Sequence, residues 1–215
     1  ALPIFKSLSA AADHIKKGKK TSELTTKYDG SPAIVYGHHP KTGKFFVASK
    51  SAFNKTPKIN YTEKDIVNNH GHAPGLVEKL KYALKHLPKT APASGVYQGD
   101  MMFSPEDKKT TKEGGVSFNP NPSGLTYTAH GELGKKAKKA KIGVVTHLKY
   151  TGKDSGSLSA SHDVDHENFK EHPDVFTVDP QMDTSKVHFG PKDRAEFNKH
   201  ISAAEAIHNT HGDDM

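Results

Sequence analysis

Apolar residues recur at helical spacing in three stretches of the chain, and elsewhere they gather in short runs of β-forming residues. The clearest helix is predicted over 75–88, where leucines recur every three or four residues and a proline closes the segment. Two further helices are predicted in 7–20, which is rich in alanine and stops at Gly18, and in 195–208, whose apolar residues fall on one side.

The β-forming runs are separated by turn residues and predict short strands. They lie at 23–29, 32–37, 44–51, 94–103, 115–120, 124–130 and 142–150. The lysine-rich stretch 131–141 is consistent with either a loop or a short helix, and the charged stretch 105–115 predicts a loop. Helices that alternate with groups of short antiparallel strands indicate an α+β fold rather than a doubly wound sheet.

The composition narrows the class of protein. A chain of 215 residues suits one domain, and 33% hydrophobic residues predict a modest core beneath a charged surface. The chain has no cysteine, which excludes disulfides, thiolate metal sites and a cysteine nucleophile. No stretch approaches the roughly 20 apolar residues of a membrane span. We therefore expect a cytoplasmic protein that has no membrane partner.

The net charge of +7 favours a polyanionic partner, either nucleic acid or nucleotide phosphates, although solubility alone would explain such a charge equally well. The lysines of 135–141 form the densest basic run. This run is either a solvated face or a surface that binds phosphates.

The stretch Lys27-Tyr28-Asp29-Gly30 carries the most specific candidate chemistry. Strand alternation through Asp29 predicts Thr25, Lys27 and Asp29 on one face, and Gly30 ends the strand and lets backbone approach a ligand closely. A lysine nucleophile must lose its proton, which neighbouring cations and partial burial favour. The alternative is a surface hairpin that carries a solvated ion pair.

This stretch resembles the first motif, Lys-x-Asp-Gly, of the covalent nucleotidyltransferases, namely ATP-dependent DNA and RNA ligases and mRNA-capping enzymes. The resemblance covers about 20–150 and is closest to the RNA ligases. It implies an adenylation domain of antiparallel sheets flanked by helices, similar to the ATP-grasp fold. It also implies that Lys27 attacks the nucleotide α-phosphate and forms a lysyl–AMP bond, with Mg²⁺ required.

Later segments resemble further family motifs in the same order. Ser49-Lys50 corresponds to a Ser-Arg pair that binds the nucleotide, and Gly99-Asp100 corresponds to a Gly-Glu pair. The resemblance implies that Asp100 binds the metal or the ribose. Phe118 is the candidate for the aromatic residue that stacks on the base, with Tyr127 behind it.

The last family motif is a strand with two lysines at alternate positions, and His147 and Lys149 have this spacing. We therefore expect His147 to bind nucleotide and Lys149 to stabilise charge on the α-phosphate. The chain departs from the family at Pro32, where arginine is common, and at Ile142, where the fourth motif has glutamate. The strand 142–150 is thus either a changed fourth motif or a changed fifth one.

Taken together, these features predict a monomeric ATP-dependent ligase-type enzyme acting on RNA or DNA ends. Its single domain would span 1–215, with an irregular extension and a closing helix after residue 150. One alternative is a GTP-dependent capping-type guanylyltransferase, and another is a non-catalytic nucleic-acid-binding protein of the same fold. The histidines and aspartates of 162–166, and the histidines of 70–72, have the residue types of metal ligands, but polar loops also explain them.

Overall fold

The computed structural model describes residues 3–18, 20–121, 124–152 and 157–211. They form two compact units: one comprises the described residues of 1–26 and 181–215, and the other is Lys27–Pro180. The prediction of a single domain over 1–215 stays a prediction.

Five α-helices and eleven β-strands make up the described chain. The helices are α1 (Pro3–Lys17), α2 (Glu63–His70), α3 (Pro74–His86), α4 (Gly131–Lys139) and α5 (Pro191–His211). The strands are β1 (Lys20–Thr25), β2 (Ala33–His38), β3 (Phe45–Ala48), β4 (Val96–Phe103), β5 (Lys108–Thr110), β6 (Val116–Phe118), β7 (Tyr127–Ala129), β8 (Ile142–Thr151), β9 (Ser159–Ser161), β10 (Val175–Phe176) and β11 (Gln181–Asp183).

The smaller unit consists of α1, β1, β11 and α5. β1 and β11 pair antiparallel. The two helices contact each other through the rings of Phe5 and His208, whose centroids lie 6.1 Å apart. Arg194 Nη1 also donates a hydrogen bond of 2.6 Å to Asp13 Oδ1. These contacts join the first and last helices of the chain.

The larger unit contains two sheets. The main sheet has the order β10-β8-β4-β2-β3, with β9 also paired to β8, and the smaller sheet has the order β5-β6-β7. All pairs are antiparallel except β8 with β10, which are parallel. The prediction of an α+β fold with mainly antiparallel strands is confirmed.

The two faces of the main sheet differ in what covers them. On the helix face, Ile34, Tyr97 and Val144 pack with α2 and α3 in the largest apolar cluster. On the opposite face, which we call the site face, two smaller clusters cover the ends of the strands. Val35 and Val96 belong to one cluster, and Met102 and Val145 to the other. Because side chains alternate along a strand, the residues between these clusters remain available to form a site.

Local sequence explains where the helices begin and which side they bury. α2 begins at a capping box, in which the Thr62 hydroxyl accepts from the Asp65 amide and the Asp65 carboxylate accepts from the Thr62 amide. α3 has a proline in its first turn and buries Val77, Leu80 and Ala83. Within the described ranges, no helix combines the length and apolar character needed to cross a membrane.

Candidate functional site

The Lys27–Gly30 motif lies in irregular backbone just before β2. The prediction that a strand continues through Asp29 is wrong, because β1 ends at Thr25 and the Asp29 amide donates to the Tyr127 hydroxyl at 2.7 Å. Lys27 and Asp29 are nevertheless close, with Nζ 3.9 Å from Oδ1. The Lys27 side chain is 88% exposed, so its amine is accessible to a ligand in solution.

The carboxylate of Asp29 is held from a second direction. Asn121 Nδ2 donates to Asp29 Oδ2 at 3.3 Å. Gly124 lies so close that a Cβ there would be 2.5 Å from the same oxygen. The Asp29 backbone is thus held by Tyr127 of the smaller sheet and its carboxylate by the turn that precedes β7, while Lys27 extends into solvent.

Gly30 packs directly against Asp100 in the middle of β4. A Cβ added to Gly30 would lie 2.6 Å from Asp100 Cβ and 2.8 Å from the Met101 carbonyl oxygen. The backbone continues this contact, since Ser31 N–H donates to the Met101 carbonyl and Met101 N–H donates to the Pro32 carbonyl. Only a residue without a side chain permits this approach, which explains glycine at position 30.

Asp100 is also paired with His147 on β8. Its Oδ1 lies 3.5 Å from His147 Nε2, and the two side chains are 23% and 28% exposed. Such a pair is an ion pair when the imidazole is protonated. Lys27 and Asp29 thus form one pair, and Asp100 and His147 form another. Gly30, which follows Asp29 in the chain and contacts Asp100, connects the two pairs.

Lys149 does not join this group, although the sequence predicts it on the same face as His147. The register between β4 and β8 shifts between Thr146 and Leu148, which leaves His147 as the extra residue of a β-bulge. Lys149 consequently pairs with Tyr97 across the ladder and donates to Asp165 Oδ2 at 2.7 Å. The prediction that His147 and Lys149 share a face is wrong, because the bulge shifts the alternation by one residue.

The Lys149–Asp165 pair lies on the helix face. The hydrogen bond with Asp165 raises the pKa of Lys149 above its ordinary value. Asp165 itself has a left-handed backbone, with φ at 52°. The charges of Lys149 and Asp165 therefore neutralise each other on the face opposite Asp100.

An apolar cleft of about 150 Å³ lies beside Asp29. Its lining includes Tyr28, Met102, Phe118, Tyr127, Val145 and Phe176. Phe118 is 5% exposed and stacks on Tyr127, with ring centroids 5.9 Å apart and planes 19° apart. Burial raises the pKa of the Tyr28 hydroxyl, and Tyr127 raises it further. Phe118 is thus a wall of the cleft, and its predicted role in base stacking stays a prediction.

The remaining candidates lie outside this group. Lys50 opens a 3-10 helix, Lys50–Phe53, and its side chain is exposed. In the 162–166 stretch, His162 Nδ1 contacts the His147 carbonyl at 3.1 Å. In the 70–72 stretch, His70 is buried, and this burial lowers its pKa. Across the parts of the chain that the structure describes, no group of three or more histidines and acidic residues could hold a metal ion.

Sequence reasoning missed Asn121, which donates to the Asp29 carboxylate. The sequence predicts Tyr127 behind Phe118 at the base, whereas in the structure its hydroxyl accepts from the Asp29 amide. The available signal was the turn-rich stretch Asn119-Pro-Asn-Pro-Ser-Gly124, whose residue types favour side-chain contacts with nearby backbone and carboxylates.

The comparisons with known proteins give one result. No curated protein and no solved structure is significantly similar to the chain. A family of unknown function, DUF6267, matches residues 1–215. Because this match covers the whole sequence, the chain belongs to the DUF6267 family.

Proposed function

We propose that the larger unit is the adenylation domain of an ATP-dependent, ligase-type nucleotidyltransferase, with a fold similar to ATP-grasp proteins. The observation that carries the proposal is the contact between Gly30 and Asp100. These residues lie 70 positions apart in the sequence, in the two motifs that should flank one nucleotide. His147, from a third motif, contacts the same carboxylate.

Lys27 is the nucleophile in this proposal. Its Nζ, once deprotonated to solvent, attacks the α-phosphorus of ATP and forms a P–N bond. The bond between the α-phosphorus and its bridging oxygen breaks, and pyrophosphate leaves with the electron pair. The 88% exposure of Lys27 makes its amine accessible to ATP, but the partial burial that would favour loss of the proton is not found at this lysine. Asp29, 3.9 Å away, orients the amine.

Asp100 would hold Mg²⁺ together with phosphate oxygens. A single, partly exposed carboxylate fits this ion, since Mg²⁺ keeps several waters and takes only one or two carboxylates from a protein beside substrate phosphates. When bound, Mg²⁺ neutralises triphosphate charge. His147 positions the Asp100 carboxylate through the contact of its Nε2 with Oδ1.

The cleft lined by Tyr28, Phe118 and Tyr127 supports binding of a base next to this site. Aromatic rings on an apolar wall stack with any base, and the cleft begins one residue from Asp29. The AMP would then pass from Lys27 to the 5′-phosphate of a nucleic acid, and a 3′-hydroxyl would displace it. Lys149 and Lys50 have no part in the proposed reaction.

A non-catalytic nucleic-acid-binding role is the second candidate. Ile142 stands where the enzymes that the motifs resemble have a glutamate, and its side chain is fully buried in the apolar cluster of the helix face. A metal-binding carboxylate therefore cannot come from this position. The GTP-dependent capping reaction would use the same lysine with a different base.

Intact mass measured after incubation with Mg²⁺ and either ATP or GTP separates these candidates. Nucleotide-free protein that gains one AMP supports the ligase-type reaction, and a gain of one GMP supports the capping type. No adduct with either nucleotide would contradict the proposed chemistry and favour the binding-only role. Lys27→Arg is the control, because it keeps the charge but cannot form the same adduct.

A further inference from the structure

The helix α4 presents lysines to solvent and buries small residues. Gly134, Ala137 and Ala140 lie on its buried side, within or beside the apolar cluster that also contains Phe118. Gly131, Glu132 and Leu133 are exposed at the start of the helix. The exposed residues that follow are all lysines, namely Lys135, Lys136, Lys138, Lys139 and, beyond the helix, Lys141. Because the buried side chains are small, the helix packs closely and the lysine side chains project outward.

Lysines in the last turn of a helix often serve only to neutralise its carbonyl groups. Here Lys108, from β5, already meets that need. Its Nζ donates to the carbonyl oxygens of Ala137, Lys138 and Ala140, at 3.0, 3.0 and 2.7 Å. Burial lowers the pKa of Lys108, and the nearby Lys141 lowers it further. The helix end therefore does not account for the other lysines.

Carboxylates account for only two of these lysines. Lys135 pairs with Glu132 at 2.6 Å and Lys136 pairs with Glu171 at 3.3 Å. Among the residues that the structure describes, no carboxylate lies within ion-pair distance of Lys138, Lys139 or Lys141. These three lysines, which we call the basic edge, form a concentrated positive surface without a counterion among the described residues.

We propose that the basic edge, Lys138, Lys139 and Lys141, binds the phosphodiester backbone of the nucleic acid whose end reacts at Lys27. This inference rests on the proposed function for its link to Lys27. α4 packs on the apolar cluster that Tyr28 and Tyr127 flank, so one cluster supports both the basic edge and the cleft beside Asp29. Phosphates spaced along a strand complement a row of lysines, and their binding releases counterions.

A nucleic acid fits this surface better than a membrane does. A helix that binds a membrane surface needs large apolar side chains beside its lysines. The only large apolar residue of α4 is Leu133, which borders the cleft beside Phe118 and is 48% exposed, and one leucine does not form an apolar helix face. The partner is therefore a polyanion that needs no apolar insertion.

The test compares two triple variants with the same loss of charge. One removes the basic edge, by Lys138→Ala, Lys139→Ala and Lys141→Ala, and the control removes exposed lysines elsewhere, by Lys41→Ala, Lys44→Ala and Lys64→Ala. Fluorescence anisotropy measures binding of a 5′-phosphorylated single strand of about 16 nucleotides. Titrations between about 50 and 200 mM salt give the salt dependence.

We expect the basic-edge variant to bind at least about tenfold more weakly, with a log–log salt slope shallower by about 2, from about 0.7 per lost contact. The control variant should keep both values. Equal weakening of the two variants, full binding by the basic-edge variant, or no binding by the wild type would overturn the proposal. So would a basic edge that affects binding to phosphatidylserine vesicles but not to the oligonucleotide.

Adduct formation without nucleic acid separates this proposal from the proposed function. The basic-edge variant should form the Lys27 adduct at the wild-type rate, because its lysines act only on the polynucleotide. If the wild type forms no adduct but the two variants still differ in binding, the proposed chemistry fails and the binding surface stands. If the adduct forms normally and the variants bind alike, the basic edge is wrong.

Discussion

The two faces of the main sheet use the same strands for different purposes. On the helix face, β4 and β8 place Met101 and Val144 under α2 and α3. Lys149 of β8 forms an ion pair with Asp165 on the same face. On the site face, the same strands place Asp100 and His147 between two apolar clusters, next to Gly30. Neighbouring residues of one strand, such as Asp100 and Met101, therefore belong to the candidate site and to the core respectively.

The β-bulge at His147 decides this assignment. Without it, His147 and Lys149 would share a face, and both would lie with Asp100 or both away from it. With it, His147 contacts Asp100 while Lys149 contacts Asp165. One extra residue in a strand is thus enough to remove a lysine from the site and leave a histidine in it.

The largest loss of stability should come from a substitution in the core of the helix face. Leu80 is fully buried in the cluster that joins α3 to the sheet, so Leu80→Ala should cost about 3 kcal/mol of unfolding free energy. Chemical denaturation measures this change. Leu133→Ala, at an exposed leucine of α4, should change stability much less, and an equal loss in both would contradict the description of the core.

The next largest loss of stability should come from a substitution at Gly30, which contacts Asp100 on the site face. Gly30→Ala forces a methyl group into Asp100 and the Met101 carbonyl, and should destabilise the protein by about 2 kcal/mol. Gly75→Ala is the matched control, because nothing lies within 4 Å of a Cβ there. It should leave stability unchanged or raise it slightly. If the two variants unfold at the same denaturant concentration, Gly30 does not approach β4 as described.

A pair of isosteric changes then contrasts the two faces directly. Asp100→Asn should slow formation of the Lys27 adduct at least about tenfold, or about 1.4 kcal/mol, with stability nearly unchanged. Asp165→Asn makes the same chemical change on the helix face, at a left-handed position that asparagine tolerates, and should leave the rate within about twofold. Single-turnover mass measurements give both rates. A normal rate for Asp100→Asn would place the metal site elsewhere.

The smallest effect concerns the lysine that the bulge excludes. Lys149→Met should cost about 0.5 kcal/mol, since its pair with Asp165 is partly exposed. The hydrogen bond raises the pKa of Lys149, so this contribution is present below the unfolded value of about 10.4 and is lost as pH rises through the folded value. Thermal melts at neutral and alkaline pH test this. Lost adduct formation in the same variant would return Lys149 to the site.

Local sequence was sufficient to predict most of the elements. The helix predicted over 75–88 is α3 at 74–86, and the strands predicted at 32–37 and 94–103 are β2 and β4. Strong periodicity and a proline mark these segments in the sequence itself. α2 was missed because its stretch is polar, although the capping residues Thr62 and Asp65 mark its start.

Pairing between distant segments was not predictable in the same way. The register shift at His147 depends on which residues of β4 and β8 face each other. The sequence of one strand does not specify its register with another strand. The hydrogen bond that the Asp29 amide donates likewise goes to the Tyr127 hydroxyl, 98 residues away in the sequence, and no local pattern predicts it. The resemblance to a family identified candidate residues, but only the structure shows on which face of the sheet each of them lies.

The most direct test of the account is the position of the nucleotide adduct within the chain. Protein treated with ATP and Mg²⁺ is digested at neutral pH, because a phosphoramidate is labile to acid, and the peptides are sequenced by mass spectrometry. The account predicts a single AMP on Lys27, retained in Lys149→Met and absent in Lys27→Arg. AMP on Lys149 or another lysine, or no adduct at all from nucleotide-free protein, would contradict it.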